Sequence, residues 1–213
     1  MVNNYVTFDD VLKNPCKKVS VDEGKKIAVE LLNKLVKDKN AIGLAANQVG
    51  IDASVAVVNV IEPIILINPH IIRMWDEMPY VEGCLSFPGN PRTTKRYKYI
   101  EYTDSLIEDT RGEGAAVIYG PTRPKETTTK GSWEHDGKKD MYDRQILESV
   151  CIQHEIDHLY GLTILDREQQ LQPVKRDKKI GRNELVTIKK GDAVKVLKYK
   201  KAFNLLNQGW VIK

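Results

Sequence analysis

Apolar residues near the N-terminus recur with the spacing of an amphipathic helix. The segment Ser20-Val21-Asp22-Glu23 has the composition of a capping box, in which the serine accepts a hydrogen bond from the backbone N–H three positions on. The apolar residues that follow share one helix face, and they are Ile27, Leu31, Leu32, Leu35 and Val36. This pattern predicts a first helix over residues 21–38.

A second helical pattern covers residues 141–160. Its apolar positions include Ile146, Leu147, Val150, Cys151 and Ile152. Gly161 is a stop signal, because glycine readily adopts the left-handed conformation that ends many helices. The pattern therefore predicts a long helix that ends at Tyr160.

Runs rich in β-branched and aromatic residues lie between these helices and predict strands. They cover residues 54–60, 64–74, 80–86 and 97–103. Asn68-Pro69 interrupts the second run, which indicates a turn or a sheet edge there. Residues 41–50 are rich in small side chains, which is typical of backbone that a neighbour approaches closely.

Residues 105–140 differ in composition from the segments around them. They are rich in Gly, Pro and Thr and contain one short strand-like run at 115–119. A segment of this length without regular structure is unusual inside a compact domain. It is expected to be a polar insertion that packs little.

Charge divides the chain into two parts. The 213 residues carry a formal net charge of +4. Residues 171–213 hold 12 Lys or Arg against 3 Asp or Glu, a net +9, so the preceding residues hold 21 against 26, a net −5. Length and charge predict one domain over residues 1–168 and a basic C-terminal extension over 169–213.

The basic extension has a folding pattern of its own. Two short strand-like runs, 186–188 and 193–196, flank Lys189-Lys190-Gly191-Asp192, which predicts a hairpin. A helical run over 199–208 follows, and apolar residues are present throughout. The extension is therefore expected to be a small folded element.

Composition also bears on location. No apolar run approaches the roughly 20 residues that a membrane-spanning helix needs, and the first residues lack the pattern of a signal peptide. The three cysteines are too few for a disulfide framework and suit a reducing compartment. A cytoplasmic protein without membrane association is expected.

The strongest chemical signal lies near the end of the second predicted helix. The segment Gln153-His154-Glu155-Ile156-Asp157-His158-Leu159 contains the frame His-Glu-x-x-His. Four residues make about one helical turn, so both imidazoles leave one face and can bind one metal ion. Glu155 can then act on a water molecule as a general base. The frame indicates a metal-dependent hydrolase.

Two histidines leave such a site short of a third protein ligand. Cys84, in Glu82-Gly83-Cys84-Leu85-Ser86, is the best candidate, because one thiolate and two imidazoles leave the fourth position open for water. Cys84 could instead be a buried thiol or a nucleophile, although a nucleophile needs a base and no metal. His70 and His135 lie outside any motif and are interpreted as structural or solvent-exposed.

Three motifs, in this order, resemble those of the peptide deformylase family. They are Gly43-Leu44-Ala45-Ala46-Asn47-Gln48, Glu82-Gly83-Cys84-Leu85-Ser86 and Gln153-His154-Glu155-Ile156-Asp157-His158. The resemblance extends over residues 5–105 and 141–168. It implies an α+β fold in which antiparallel strands surround a central metal-binding helix.

The resemblance also implies the reaction and its metal. The reaction is hydrolysis of the N-formyl group from the N-terminal methionine of nascent polypeptides, with release of formate, a processing step of protein biosynthesis. The implied ligands of one divalent ion are Cys84, His154 and His158. Family members typically use Fe(II), with Zn, Ni or Co as substitutes, and this donor set suits all of them.

Further roles follow from the same resemblance. Glu155 would be the general acid and base, while the Gln48 side-chain N–H and the Leu85 backbone N–H would stabilise the oxyanion. The residues implied to bind the substrate methionine are Ile42, Gly43, Leu147, Val150 and Cys151.

The chain departs from the family pattern in three ways. Ala41 stands where the family usually has Gly, which is expected to lower peptide affinity modestly. The insertion lengthens the interval between Cys84 and His154, and the residues after Asp166 do not resemble the long C-terminal helix of typical bacterial members. Arg96 matches a family arginine by spacing and is a candidate partner of Asp157, although both could be solvent-exposed.

Two other functions compete with deformylation. A zinc metallopeptidase would need a third ligand after His158, where no histidine follows and the glutamates are Glu168 and Glu184. A non-catalytic relative that binds RNA would not need Gln48 or Cys84. The basic extension is either a solvated appendage or a contact with ribosomal RNA, since deformylases act on nascent chains at the ribosome.

Overall fold

A computed structural model describes residues 5–6, 10–122, 138–168, 180–190, 193–206 and 210–213. The chain divides into two compact units, residues 1–168 and residues 169–213, and each is described by itself.

The first unit begins with a short 3-10 turn at Asp10–Lys13 and helix α1 at Val21–Leu35. The predicted capping serine is confirmed, since the Ser20 side chain accepts a hydrogen bond from the Glu23 backbone N–H. The helix ends a few residues earlier than the pattern predicts. It buries an apolar stripe that includes Ala28, Leu31 and Leu35.

A three-stranded antiparallel sheet follows, in the order β1-β2-β3. Its strands are β1 at Gly43–Ala45, β2 at Val55–Asn59 and β3 at Pro63–Ile67, and a 3-10 turn at Ala46–Val49 follows β1. Strand β2 is apolar on both faces because both faces are covered. Val55 and Val57 pack in the cluster that includes α1, whereas Ala56 and Val58 pack in a second cluster with Ile152 and Ile156.

The second sheet has the order β4-β5-β6 and is also antiparallel. Its strands are β4 at His70–Glu82, β5 at Arg92–Thr103 and β6 at Val117–Tyr119. Asn68 has a φ of 52° and marks the predicted break before β4. The prediction of separate strands over 64–74 and 80–86 is wrong. Strand β4 runs through residues 75–79 as one strand that pairs with β5, and residues 84–86 lie in a turn.

The expectation that residues 105–140 pack little is wrong for residues 105–122. Helix α2 at Ser105–Arg111 is capped by the Asp104 side chain, which accepts a hydrogen bond from the Ile107 backbone N–H. The predicted short strand is confirmed as β6, which pairs with β5. Ile107, Val117 and Tyr119 pack against the main core, so a few apolar residues hold this glycine-rich segment in place. Residues 123–137 lie outside the described residues.

Helix α3 at Lys138–Leu159 is the centre of the first unit. It contacts strands β1, β2 and β5, and every residue from 148 to 159 is buried. The α+β prediction of antiparallel strands around a central helix is therefore confirmed. The helix ends in a Schellman motif, in which the Gly161 N–H reaches the His158 carbonyl and the Leu162 N–H reaches the Asp157 carbonyl.

The second unit contains a three-stranded antiparallel sheet in the order β8-β7-β9 and one helix. Strands β7 at Leu185–Lys190 and β8 at Ala193–Lys198 and helix α4 at Tyr199–Leu206 confirm the predicted elements, while β9 at Val211–Ile212 was not predicted. The small core of the unit is formed by Val186, Ile188, Tyr199, Ala202 and Leu206. The predicted turn includes residues 191–192, and the predicted helix ends within residues 207–209. Both of these segments lie outside the described residues.

Among the described residues, none of the helices combines the length and apolar character that crossing a membrane requires.

Gly161 is expected to be essential for the end of α3. Its φ is +75°, and a Cβ at this position would lie 2.5 Å from the Lys13 carbonyl oxygen. Gly50 has a similar φ of +81° but nothing within 4 Å of a Cβ. We expect Gly50→Ala to lower the free energy of unfolding by about 1 kcal/mol, the cost of the left-handed conformation alone. Gly161→Ala should lower the free energy of unfolding by roughly 1–3 kcal/mol more than Gly50→Ala does, because its Cβ would also crowd the Lys13 carbonyl oxygen.

Urea unfolding followed by circular dichroism measures both losses. Equal losses for the two variants would contradict the packing role assigned to Gly161.

Candidate metal centre and active site

Helix α3 and the turn after β4 bring the three predicted ligands together. Cys84 Sγ, His154 and His158 each offer one ligand atom, and these atoms lie within 4.8 Å of one another. Cys84 Sγ is 3.3 Å from His158 Nε2, which is 3.1 Å from His154 Nε2. The two histidines meet because one helical turn separates them, and Cys84 joins them because β4 ends beside the helix.

The donor atoms fit a cation. His154 Nδ1 lies 3.0 Å from the Glu82 carboxylate and donates to it, so its Nε2 faces His158 without a proton when the ring is neutral. Burial lowers the pKa of His158 well below its usual value, which favours a neutral ring there. Burial opposes the charged form of His154 as well, but its contacts with Cys84 and Glu82 raise the pKa of His154 well above its usual value. Two nitrogen lone pairs this close repel unless a cation or proton lies between them. One thiolate and two imidazoles also form a suitable set for a site that keeps an open position.

Glu82 orients the first histidine, and sequence reasoning missed this role. Its carboxylate is buried and accepts hydrogen bonds from His154, from Arg96 Nε at 2.8 Å and from the Thr94 hydroxyl. Burial alone would raise its pKa, but these partners lower the pKa to about 2. Glu82 is therefore a carboxylate near neutral pH and fixes the ring of His154 in place. Its only sequence signal was its place in the Cys84 motif.

A second carboxylate lies behind Arg96. Arg96 Nη1 is 2.5 Å from Asp157 Oδ2, so the predicted pair is formed and both residues are buried. Arg167 also contacts Asp157, with its Nη2 2.7 Å from Oδ1 and its Nε 3.1 Å from Oδ2. Sequence reasoning missed Arg167, since no motif includes it.

Glu155 lies beside the ligands on the same helix. Its side chain is buried, and among the described atoms Oε2 has no hydrogen-bond partner. Burial raises its pKa to about 7, against the positive charge of His154, which lowers it. An unpaired buried carboxylate oxygen with this pKa can accept and return a proton near neutral pH.

Gln48 is held with its amide nitrogen toward the ligands. Its Oε1 accepts a hydrogen bond from the Ala45 backbone N–H at 2.9 Å, so the opposite side of the amide carries the donors. Nε2 lies 3.3 Å from Ser86 Oγ and 3.6 Å from Cys84 Sγ. A donor in this position can stabilise negative charge next to the cysteine.

A cavity of about 360 Å³ opens onto the site. Its lining includes Cys84, His154 and Glu155 and also Gln48 and Leu85. All the apolar residues predicted to bind the substrate line it as well, and they are Ile42, Gly43, Leu147, Val150 and Cys151. Tyr80 was missed, although it stands two positions before Glu82 on the same strand and therefore on the same face.

Gly43 explains part of the small-residue segment. A Cβ there would lie 2.6 Å from Cys151 Sγ and would also overlap Glu155 Oε1. Strand β1 can approach helix α3 this closely only because position 43 has no side chain. Ala41, the departure from the family pattern, also lines the cavity.

Comparison with known proteins agrees with this geometry. The family profile described as polypeptide deformylase matches residues 4–114 and 119–174, well over half of the chain. A peptide deformylase from Dictyoglomus turgidum is 37% identical over 161 residues, which are 75% of this chain and 87% of that protein. A peptide deformylase from Pseudoalteromonas translucida is 30% identical over 175 residues, with 80% and 86% covered.

Solved structures are similar in the same region. A peptide deformylase from Synechococcus elongatus in complex with actinonin has a TM-score of 0.58 and 30% identity, with 78% of each chain covered. The peptide deformylase from Thermotoga maritima has a TM-score of 0.57 and 28% identity, and the match covers 78% of this chain and 96% of that one. The chain therefore belongs to the polypeptide deformylase family and is a metal-dependent hydrolase that removes the N-formyl group from the N-terminal methionine of nascent polypeptides.

Proposed function

We propose that residues 1–168 form the catalytic domain and that Cys84, His154 and His158 hold its divalent ion. The observation that carries this proposal is the approach of the three ligand atoms to within 4.8 Å at a cavity that Glu155 and Gln48 also line. All of these residues belong to the first unit. Turnover of a short peptide such as formyl-Met-Ala-Ser by the metal-loaded protein is the direct test.

The ion, when bound, supplies Lewis acidity that makes water a nucleophile near neutral pH. Glu155 moves the protons. Its unpaired Oε2 accepts the proton that the attacking water loses and then delivers that proton to the departing amine nitrogen. The raised pKa of Glu155 supports both halves of this transfer, since the acid must form and ionise again in each cycle.

Gln48 and Leu85 stabilise the charge that develops on the formyl oxygen. Because the Ala45 N–H fixes the Gln48 carbonyl, the amide N–H groups need no reorganisation when charge appears. Ser86, which is fully buried, also holds Nε2 in position. The Leu85 backbone N–H is the second proposed donor, in the turn that carries Cys84.

The cavity binds the methionine side chain. Ile42, Leu147 and Val150 supply apolar contacts, Gly43 admits the peptide close to the helix, and Cys151 closes one side. Burial raises the pKa of the Cys151 thiol well above its usual value, so Cys151 stays neutral and acts as an apolar contact.

Fe(II) is the proposed native metal. The support is the resemblance to the family, while the donor set itself also accommodates Zn, Ni and Co. Metal analysis of protein purified without oxygen identifies the ion.

Glu155→Gln is expected to lower turnover by at least about 100-fold, the usual contribution of a general base. Metal content should remain stoichiometric, because Glu155 is not a ligand. Glu30→Gln, on the exposed face of α1, is the matched control and should keep full activity. Turnover of Glu155→Gln within threefold of the parent protein would exclude the proposed proton transfer.

Cys84→Ser is expected to weaken metal binding by roughly 100-fold or more, since loss of even an outer partner of a ligand typically costs about 10- to 100-fold. A hydroxyl is a poor ligand for these ions. Cys16→Ser makes the same chemical change at a half-buried thiol outside the ligand cluster and should retain metal. Stoichiometric metal in both variants would remove Cys84 from the ligand set.

The second unit is proposed to contact ribosomal RNA. Lys189 and Lys198 lie on the face of its sheet that points away from its small core, because they alternate with the buried positions of β7 and with their partners on β8. The same face also exposes Leu185, Val194 and Val196. Lys213 follows β9 and donates its backbone N–H to Thr187 on β7. The net +9 of residues 171–213 supports attraction to phosphates.

Changing Lys189, Lys198 and Lys213 together to Gln should leave peptide turnover unchanged and weaken binding to ribosomes. The slope of log binding constant against log salt should become shallower by roughly 0.7–0.9 for each lost phosphate contact. A matched control changes Lys26, Lys34 and Lys37 of the first unit, which are also exposed, to Gln. Equal binding by both triple variants at low salt would reduce the extension to a solvated appendage.

A further inference from the structure

We infer that Arg167 is a positioning residue for the metal centre, which acts through Asp157, Arg96 and Glu82 on the ligand His154. The inference rests on the proposed metal site. It concerns a residue that no motif of the sequence includes and that lies outside the cavity wall.

The inner part of this connection is a series of charged hydrogen bonds. His154 Nδ1 contacts Glu82 Oε2 at 3.0 Å, and Glu82 Oε1 contacts Arg96 Nε at 2.8 Å. Arg96 Nη1 contacts Asp157 Oδ2 at 2.5 Å. Each of these side chains is buried, so no link has ready access to water as an alternative partner.

Asp157 connects this series back to the helix that carries the ligands. It lies three residues after His154 and one before His158, so its displacement moves the backbone of both ligands. Arg96 is shared between two carboxylates, Glu82 and Asp157. A single guanidinium cannot neutralise both, and an uncompensated buried carboxylate is costly.

Arg167 supplies the missing charge. Its guanidinium contacts both oxygens of Asp157, at 2.7 Å and 3.1 Å, which is the bidentate geometry of a strong ion pair. With Arg167 in place, two guanidiniums balance two carboxylates. Arg96 can then remain on Glu82, which keeps the ring of His154 oriented.

The backbone of Arg167 is also fixed at this site. Its carbonyl accepts a hydrogen bond from the Lys95 N–H at 3.1 Å, and Glu168 forms a bridge with Thr94. Thr94 itself donates to Glu82. The segment therefore lies against the strand that presents Arg96, which holds the half-exposed Arg167 side chain close to its target.

Removing Arg167 would leave Asp157 to compete with Glu82 for Arg96. The ring of His154 would lose part of its orientation, and metal retention would fall. Outer partners of metal ligands typically contribute about 10- to 100-fold in affinity. Because Arg167 is further from the metal site than Glu82, we expect its removal to lower metal affinity about tenfold.

The test measures Co(II) binding to the full-length chain. Competition with a chelator, followed by the absorption of the cobalt–thiolate centre, gives the affinity independently of activity. Arg167→Gln should bind Co(II) about tenfold more weakly, and Arg167→Lys should recover part of the loss because it restores charge without the bidentate contact. Arg92→Gln is the matched control, since Arg92 pairs with Glu168 of the same segment at 3.5 Å and should change affinity by less than about twofold.

A double-variant cycle tests the route through Asp157. If Arg167 acts through that carboxylate, Arg167→Gln should cost little more affinity in an Asp157→Asn background. Full additivity, or affinity of Arg167→Gln within twofold of the parent protein, would overturn the inference. If Arg167→Gln does not fold, the Arg167→Lys variant decides the test. A Co(II) affinity of Arg167→Lys equal to that of the parent protein, with an unchanged cobalt spectrum, would overturn the positioning role of Arg167. Failure of the parent protein to bind Co(II) would overturn the metal site itself.

Discussion

The burial of the last three turns of α3 is the constraint on which the rest of the structure depends. Every residue from 148 to 159 is buried, so water cannot satisfy the polar side chains of this helix. The surrounding strands must supply the partners. The backbone of Tyr97 pairs with Gln153, and the Tyr119 hydroxyl pairs with Glu148. Sheet and helix are therefore aligned by polar contacts as well as by apolar packing.

The same burial distinguishes residues that hold the proposed ligands in place from residues that can take part in the reaction. Asp157 faces two guanidiniums, and the proposed ligand His154 faces Glu82, so these charges are compensated. Among the described atoms, Glu155 Oε2 and His158 Nδ1 are buried without a partner at this end of the helix. An unpaired polar atom in a core is costly, and such exceptions to local consistency tend to occur where a protein has a function. Of the two residues, Glu155 lines the cavity in which the proposed reaction takes place.

Local patterns predicted the elements that are stabilised locally. Helices α1 and α3 carry caps and apolar spacing within their own residues, so they could be predicted. The continuity of β4 could not, because its polar middle is held by pairing with β5 across the sheet. The segment 105–122 was misjudged because a few apolar anchors outweigh its glycines. Glu82 was missed because a single sequence does not reveal which charged residues are buried. Arg167 was missed because its contact with Asp157 depends on how the segment after α3 folds back against β5.

The sequence by itself determined the chemistry that helical geometry fixes. Two imidazoles and a carboxylate within five consecutive residues must share one side of a helix, whatever surrounds them. Only the tertiary structure decided that Cys84 reaches them and that the Gln48 amide turns its nitrogen toward the site. The tertiary structure also decided how the charged residues next to the proposed ligands pair with one another. Those outcomes depend on distant segments being buried together, and burial is a property of the whole fold and not of any local pattern.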